Sequence, residues 1–123
     1  MMELADFQEL VQAAIDALPV YFRERINNVA IVVEDWPDHE TLRIAGVKRP
    51  TDLLGFYHGV PLTKRTSSYM LVLPDKISIY RQPILMQCRT WHEVKELATH
   101  VVQHEVAHYF GISDDRLKEI GAY

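Results

Sequence analysis

Residues 104–114 have the sequence His-Glu-Val-Ala-His-Tyr-Phe-Gly-Ile-Ser-Asp. On a helix, His104 and His108 are about 40° apart around the axis and about 6 Å apart along it, so both imidazoles can face one ion. Neutral imidazole nitrogen is a preferred ligand of zinc. Glu105 lies about 100° around from His104, where its carboxylate can reach a water beside the ion without being a ligand. The spacing predicts a metal site on one face of a helix.

The third metal ligand is expected just beyond the helix. A catalytic zinc site uses three protein ligands and leaves one position for water. Gly111 can end the helix in a left-handed conformation, and Asp114 brings a carboxylate three residues later. We therefore predict Zn²⁺ bound by His104, His108 and Asp114, with Glu105 as general base. In the alternative, Asp114 caps a final helix, since aspartate is a preferred capping residue, and Asp115 is then the rival ligand or the capping partner.

The helix that carries this motif has recognisable ends. Thr90-Trp91-His92-Glu93 has the form of a capping box, which places the helix start at residue 91, and Gly111 supplies its stop. Around this helix, Glu105 lies in the middle of an apolar arc that spans about 20° to 160° from His104. A carboxylate at such a position costs several kcal/mol if it is buried, ionised and unpaired. A nearby cation such as zinc would resolve that conflict.

The remaining pattern alternates short helices with short strands. An apolar stripe from Phe7 to Leu18 predicts a first helix, and Pro19 can open a second one through about Ile26. Asp38 is expected to cap a short helix that Gly46 closes. Strands are predicted at 29–33, 69–73 and 77–80, with an extended segment at 54–58, a polar loop at 61–68 and a last helix at 114–120. The strands 69–73 and 77–80 are expected to form an antiparallel hairpin.

These elements predict an α+β fold, in which helices cover one small sheet. The length of 123 residues fits a single domain, 1–123. The formal net charge of −4 argues against a nucleic-acid partner, because phosphate binding needs clustered basic residues and the densest basic stretch is Lys64-Arg65. Without a signal peptide or an apolar span of about 20 residues, we expect a cytoplasmic protein with no membrane partner. The lone Cys88 suits that compartment.

At this point the chain resembles a family of small bacterial zincin-like metallopeptidases, and it is similar to a minimal metzincin catalytic domain. The segments that carry the resemblance are 104–117, 73–84 and 55–63, with Leu18-Pro19 and the strand end at 32–35. The resemblance implies a small mixed sheet packed against a long active-site helix, with N-terminal and C-terminal helices, one zinc ion and Glu105 as general base. It also implies an extended strand above the cleft to which a substrate backbone can add, here 54–58 or 69–73.

Two departures from the metzincin pattern concern the metal site. Metzincins have a methionine-containing turn beneath the metal, after the third ligand, and no methionine follows Asp114 in this chain. The floor of the site must therefore be built differently, or not built at all. Aspartate also stands where metzincins usually have histidine, which changes the charge on the metal and can alter metal choice.

The sequence thus predicts a zinc-dependent peptide hydrolase, a metalloprotease that acts on a peptide or protein. The alternative is a catalytically silent metal-binding or interaction module that retains the fold. In a metal-free interaction protein, a third reading, Glu105 would need a cation such as Arg81. The oxyanion donor of a hydrolase is expected to be Tyr57, Tyr80 or Arg81. We expect His100 to flank the metal site or to lie behind its ligands, and we expect His39, His58 and His92 to be solvated.

Overall fold

The computed structural model describes residues 2–26, 29–59, 75–113 and 115–116. In chain order the helices and strands of these residues are α1 (Leu4–Asp16), α2 (Val20–Arg23), β1 (Val29–Glu34), α3 (His39–Ala45), β2 (Gly55–His58), β3 (Asp75–Tyr80), α4 (Arg81–Met86) and α5 (Trp91–Tyr109). A short 3₁₀ helix, Pro50–Asp52, precedes β2. The predicted segments 61–68 and 69–73, and with them the hairpin, lie outside the described residues. Of the predicted last helix, the structure describes Asp115 and Arg116, and both are helical.

The three described strands form a mixed sheet in the order β1-β3-β2. β3 pairs in parallel with β1 and antiparallel with β2, so that Ile77 lies opposite both Ile31 and Tyr57. Ile77 and Ile79 of the central strand are fully buried. The predicted α+β class and the mixed sheet are confirmed, and the segment expected to be extended at 54–58 is β2.

Helix α5 packs against α1 and against strands β2 and β3. Phe7, Val11 and Ala14 form the buried stripe of α1, as their helical spacing predicts. On α5 the buried positions include Ala98 and Val102, neither of which is exposed to solvent at all. This packing fixes the face of α5 that carries Glu105 against the sheet.

The helix ends agree with the capping signals in the sequence. The Asp38 side chain accepts a hydrogen bond from the Thr41 backbone N–H at 2.7 Å, and Gly46 ends α3 with a φ of 73°. At the start of α5, the Thr90 hydroxyl oxygen accepts from the Glu93 N–H at 3.1 Å. The Glu93 carboxylate accepts in turn from the Arg89 N–H at 2.6 Å. These local bonds explain why the bounds of both helices are predictable from sequence.

Helix α4 is a feature that the sequence pattern does not predict. Its proline, Pro83, lies in the first turn, where proline is tolerated. The start of α4 is held against the end of β1, because the Gln82 N–H donates to the Asp35 carbonyl at 3.2 Å. The Arg81 Nε also donates to the Asp35 carboxylate at 2.7 Å. Tertiary contacts with Asp35, the residue that follows β1, therefore help to define this helix.

Within the described part of the chain, the apolar stretches of the helices are too short for any helix to cross a bilayer.

Candidate metal centre

The C-terminal half of α5 brings three potential donor groups together. The ligand atoms of His104, Glu105 and His108 all lie within 4.8 Å of one another. The two imidazole rings are 4.4 Å apart between centroids and are inclined by 66°. The Glu105 Oε1 atom lies 3.5 Å from the Nδ1 atom of His108. One turn of helix is thus sufficient to assemble the three side chains.

Burial differs among these three residues in a way that suits different roles. Glu105 is 7% exposed, whereas both histidines are half-buried. The burial of Glu105 agrees with its predicted place within the apolar arc of α5. A buried ionised carboxylate needs a compensating partner, and a cation bound by the adjacent imidazoles would be one. The donor set and its compact geometry therefore fit a zinc ion.

Close packing of β2 on α5 supports Glu105 from the sheet side. A Cβ atom placed on Gly55 would lie 2.7 Å from Cγ1 of Val101 and 3.2 Å from Cγ of Glu105. It would also lie 3.2 Å from the carbonyl oxygen of Ser78. A larger residue would push β2 away from α5 or displace Val101 and Glu105. Glycine is therefore required where the strand crosses the motif.

The three donor groups line a cleft of about 530 Å³ between α5 and the segments on either side of the 3₁₀ helix. This volume falls in the range of small-ligand pockets. The other described residues that line the cleft are Ala45, Val47, Asp52, Leu53, Leu54, Gly55, Phe56, Tyr57, His100 and Val101. The candidate metal centre is thus open to a ligand from one side and packed against the core on the other.

The residues that form the cleft lie within a segment that matches a known protein family. The sequence model of the zincin-like metallopeptidase family matches residues 26–122, which include the cleft and the donor residues described above. The chain belongs to the zincin-like metallopeptidase family. No curated protein matches the chain. Membership implies a metal, typically zinc, and hydrolase chemistry, and the small mixed sheet with its long helix fits the family.

The three candidates for the oxyanion donor occupy different environments. Tyr57 lines the cleft, and its hydroxyl donates to the Asp75 carboxylate at 2.5 Å. Tyr80 is only 1% exposed, and burial raises the pKa of its hydroxyl. Arg81 donates to the side chain of Asp35 and to the carbonyl of Met2. Among the three, Tyr57 alone is in the described lining of the cleft, and Arg81 is paired with Asp35 instead of Glu105.

Two histidines outside the motif, His58 and His100, differ in their environments. His58 is less exposed than expected, and His100 lines the cleft. His58 was expected to be solvated, but it is half-buried on β2 with its Nε2 atom 3.2 Å from the Ser78 hydroxyl. Burial, together with the charge of Lys76, lowers the pKa of His58. His100 lies 6.3 Å from His104 between ring centroids and lines the cleft, which agrees with a flanking role. His39 and His92 are exposed, as predicted.

The third predicted ligand of the zincin-like site, Asp114, lies outside the described residues. The structure describes the residues on either side. Gly111 has a φ of 80°, as predicted for the helix stop. The Arg116 N–H donates to the Ser113 hydroxyl oxygen at 3.2 Å, a bond of the N-cap type. Asp115 is exposed.

Sequence reasoning did not identify several residues around the site. Ala45 and Val47 face the cleft from the end of α3, and no local pattern marks them. The contact between Gly55 and Glu105 also depends on tertiary structure. The family segment 55–63 begins at this glycine, which is the one signal that could have drawn attention to it.

Proposed function

We propose that this protein is a zinc-dependent peptide hydrolase in which His104, His108 and Asp114 hold the metal and Glu105 is the general base. The observation that carries the proposal is the grouping of two imidazoles and a carboxylate within 4.8 Å on the wall of a cleft. Membership of a metallopeptidase family supports the same chemistry.

Described residues that precede and follow Asp114 in the chain support its choice as third ligand. In the alternative, Asp114 would serve to cap the following helical turn. The Ser113 hydroxyl already makes a capping bond to the Arg116 N–H. Gly111 allows the chain to turn after α5, because its positive φ is favourable for glycine. A carboxylate ligand at Asp114 is therefore compatible with the described ends of this segment.

Glu105 is suited to proton transfer in such a site. When bound, zinc would supply Lewis acidity, which polarises a carbonyl group and makes water more acidic. The Glu105 carboxylate would accept the proton of the attacking water and deliver it to the leaving amine. Its burial limits competition from bulk water, and its packing against Gly55 restricts the side chain. The carboxylate thus has a fixed position beside the two imidazoles.

A peptide is the substrate class that the cleft supports best. Among the described strands, which have the order β1-β3-β2, β2 is an outer strand. It contributes Gly55, Phe56 and Tyr57 to the cleft. A peptide backbone can add to the edge of such a strand and place a carbonyl near the donor groups. The other segment considered for this role, 69–73, lies outside the described residues.

Cleavage of an unstructured protein mixture tests the proposal. Zinc-loaded protein is incubated with reduced, alkylated polypeptides, and new N-termini are identified by mass spectrometry. We expect new termini that a chelator abolishes and added zinc restores, because the chemistry depends on the metal. Stoichiometric zinc binding without any new termini would contradict hydrolysis and favour the catalytically silent module.

A further inference from the structure

We infer that Phe22 of helix α2 is a positioning residue for the metal centre, because its ring holds the turn at the end of α5 that leads to Asp114. This inference rests on the proposed function, in which Asp114 is the third ligand. Helix α2 precedes the family match, which begins at residue 26. The role assigned to Phe22 therefore rests on contacts within this chain.

The chain leaves α5 through a hydrogen-bonded turn. The Gly111 N–H donates to the His108 carbonyl at 2.9 Å, and the Ile112 N–H donates to the Ala107 carbonyl at 2.9 Å. Together with the φ of 80° at Gly111, these two bonds form a Schellman motif. The motif sets the direction in which the chain continues, and Asp114 follows Ile112 by two residues. A ligand at Asp114 therefore depends on where this turn lies.

Phe110, the residue before the turn glycine, joins the turn to the rest of the protein. Its ring lies 5.2 Å from the ring of Tyr109 and 5.0 Å from the ring of Phe22 between centroids, both in edge-to-face geometry. Tyr109 is buried in the core, whereas Phe22 and Phe110 are half-buried. Aromatic pairs of this geometry stabilise a structure beyond the area that they bury. Phe110 thus contacts the core through Tyr109 and helix α2 through Phe22.

Helix α2 is itself anchored, so that Phe22 can resist a movement of the turn. Helix α1 packs against α5, and the buried Leu18 lies between α1 and α2 in the chain. The Arg23 guanidinium donates to the Asp16 carbonyl at 2.6 Å, which ties α2 to the last residue of α1. The two N-terminal helices therefore present Phe22 to Phe110 from a fixed base.

Replacement of Phe22 separates a role in metal binding from a role in stability alone. Phe22→Leu removes the ring contact and keeps an apolar side chain, whereas Phe22→Tyr keeps the ring. The matched control is Phe7→Leu, the same chemical change at a fully buried position of α1 that is not among the described residues of the cleft. Should Phe22→Leu fail to fold, Phe22→Met takes its place.

Three measurements are made on each protein. Competition with a chromophoric chelator gives the zinc Kd, and circular dichroism gives the melting temperature of the metal-free protein. The visible absorption of the Co²⁺-loaded protein reports the geometry of the ligands around the metal. The zinc Kd is also measured for Phe22→Leu in an Asp114→Ala background.

We expect Phe22→Leu to weaken zinc binding by about 3- to 10-fold, the size of one aromatic pair contact, and to change the Co²⁺ spectrum. Phe22→Tyr should bind zinc as the wild-type protein does. Phe7→Leu should lower the metal-free melting temperature and keep the zinc Kd and the Co²⁺ spectrum. In the Asp114→Ala background, Phe22→Leu should cause no further loss of zinc affinity, since both residues act through the same turn.

A folded Phe22→Leu protein with the zinc Kd and Co²⁺ spectrum of wild type would overturn the inference and leave the proposed metal site intact. An equal loss of affinity with and without Asp114 would also overturn it, because Phe22 would then act without the third ligand. So would an equal loss in Phe7→Leu, which would be a general effect of stability. A wild-type protein that binds no zinc would contradict the proposed function, and the inference with it.

Discussion

Glu105→Gln is expected to retain zinc and to lose about 10²- to 10⁴-fold in kcat, the range found for general acid–base catalysis. Glutamine has nearly the same shape as glutamate, so it fits the space between α5 and Gly55. Its amide cannot accept a proton from water, and the reaction would lose its base. Zinc content by elemental analysis and the rate of peptide cleavage give the two readouts.

The matched control is Glu96→Gln, the same chemical change on the same helix. Glu96 is exposed and lies within 3.0 Å of the His92 Nε2 atom, on the surface of α5. We expect the zinc content and kcat of the Glu96→Gln protein to stay within about two-fold of wild type, since exposed ion pairs contribute little to stability. A Glu105→Gln protein that keeps zinc and cleaves at the wild-type rate would rule out Glu105 as general base.

Asp114→Ala is expected to weaken zinc binding by about 100-fold or more, with the fold retained. Loss of a direct ligand should exceed the 10- to 100-fold effects that are typical of residues behind the ligands. The Ser113 capping bond does not depend on the Asp114 side chain, so the start of the final helical turn should persist. Competition with a chromophoric chelator measures the zinc Kd, and circular dichroism reports the helix content.

Asp115→Ala is the control for that prediction and also the test of the rival ligand. Asp115 is exposed in the structure, so we expect a zinc Kd within about three-fold of wild type. If Asp115→Ala causes the larger loss, the third ligand is Asp115. If neither variant weakens zinc, the site is completed by another group and the three-ligand assignment fails.

The part of the site that is predictable from sequence is the part that one helix builds. The spacing of His104 and His108, the capping residue Thr90 and the stop at Gly111 are local features. The buried position of Glu105 followed from the apolar arc of the same helix. Local periodicity is therefore enough to predict α5 and the side-chain grouping on it.

Features that depend on contacts between distant segments were not predictable in the same way. The parallel pairing of β1 with β3 joins strands more than 40 residues apart, and α4 is held in place by Asp35. His58 is half-buried because β2 lies beside β3, where Ser78 meets its ring. The position of Val47 in the lining of the cleft depends on where α3 and α5 lie in the fold. Each of these depends on tertiary structure, which overrides local sequence preferences.

The zinc content of tag-free protein, measured by elemental analysis beside a His104→Ala variant, tests the central claim most directly. The account predicts about one zinc per chain in the wild-type protein and a loss of most of it in the variant, because an imidazole ligand is removed. A wild-type protein that holds no zinc after reconstitution would contradict the account. Equal zinc in the two proteins would do so as well.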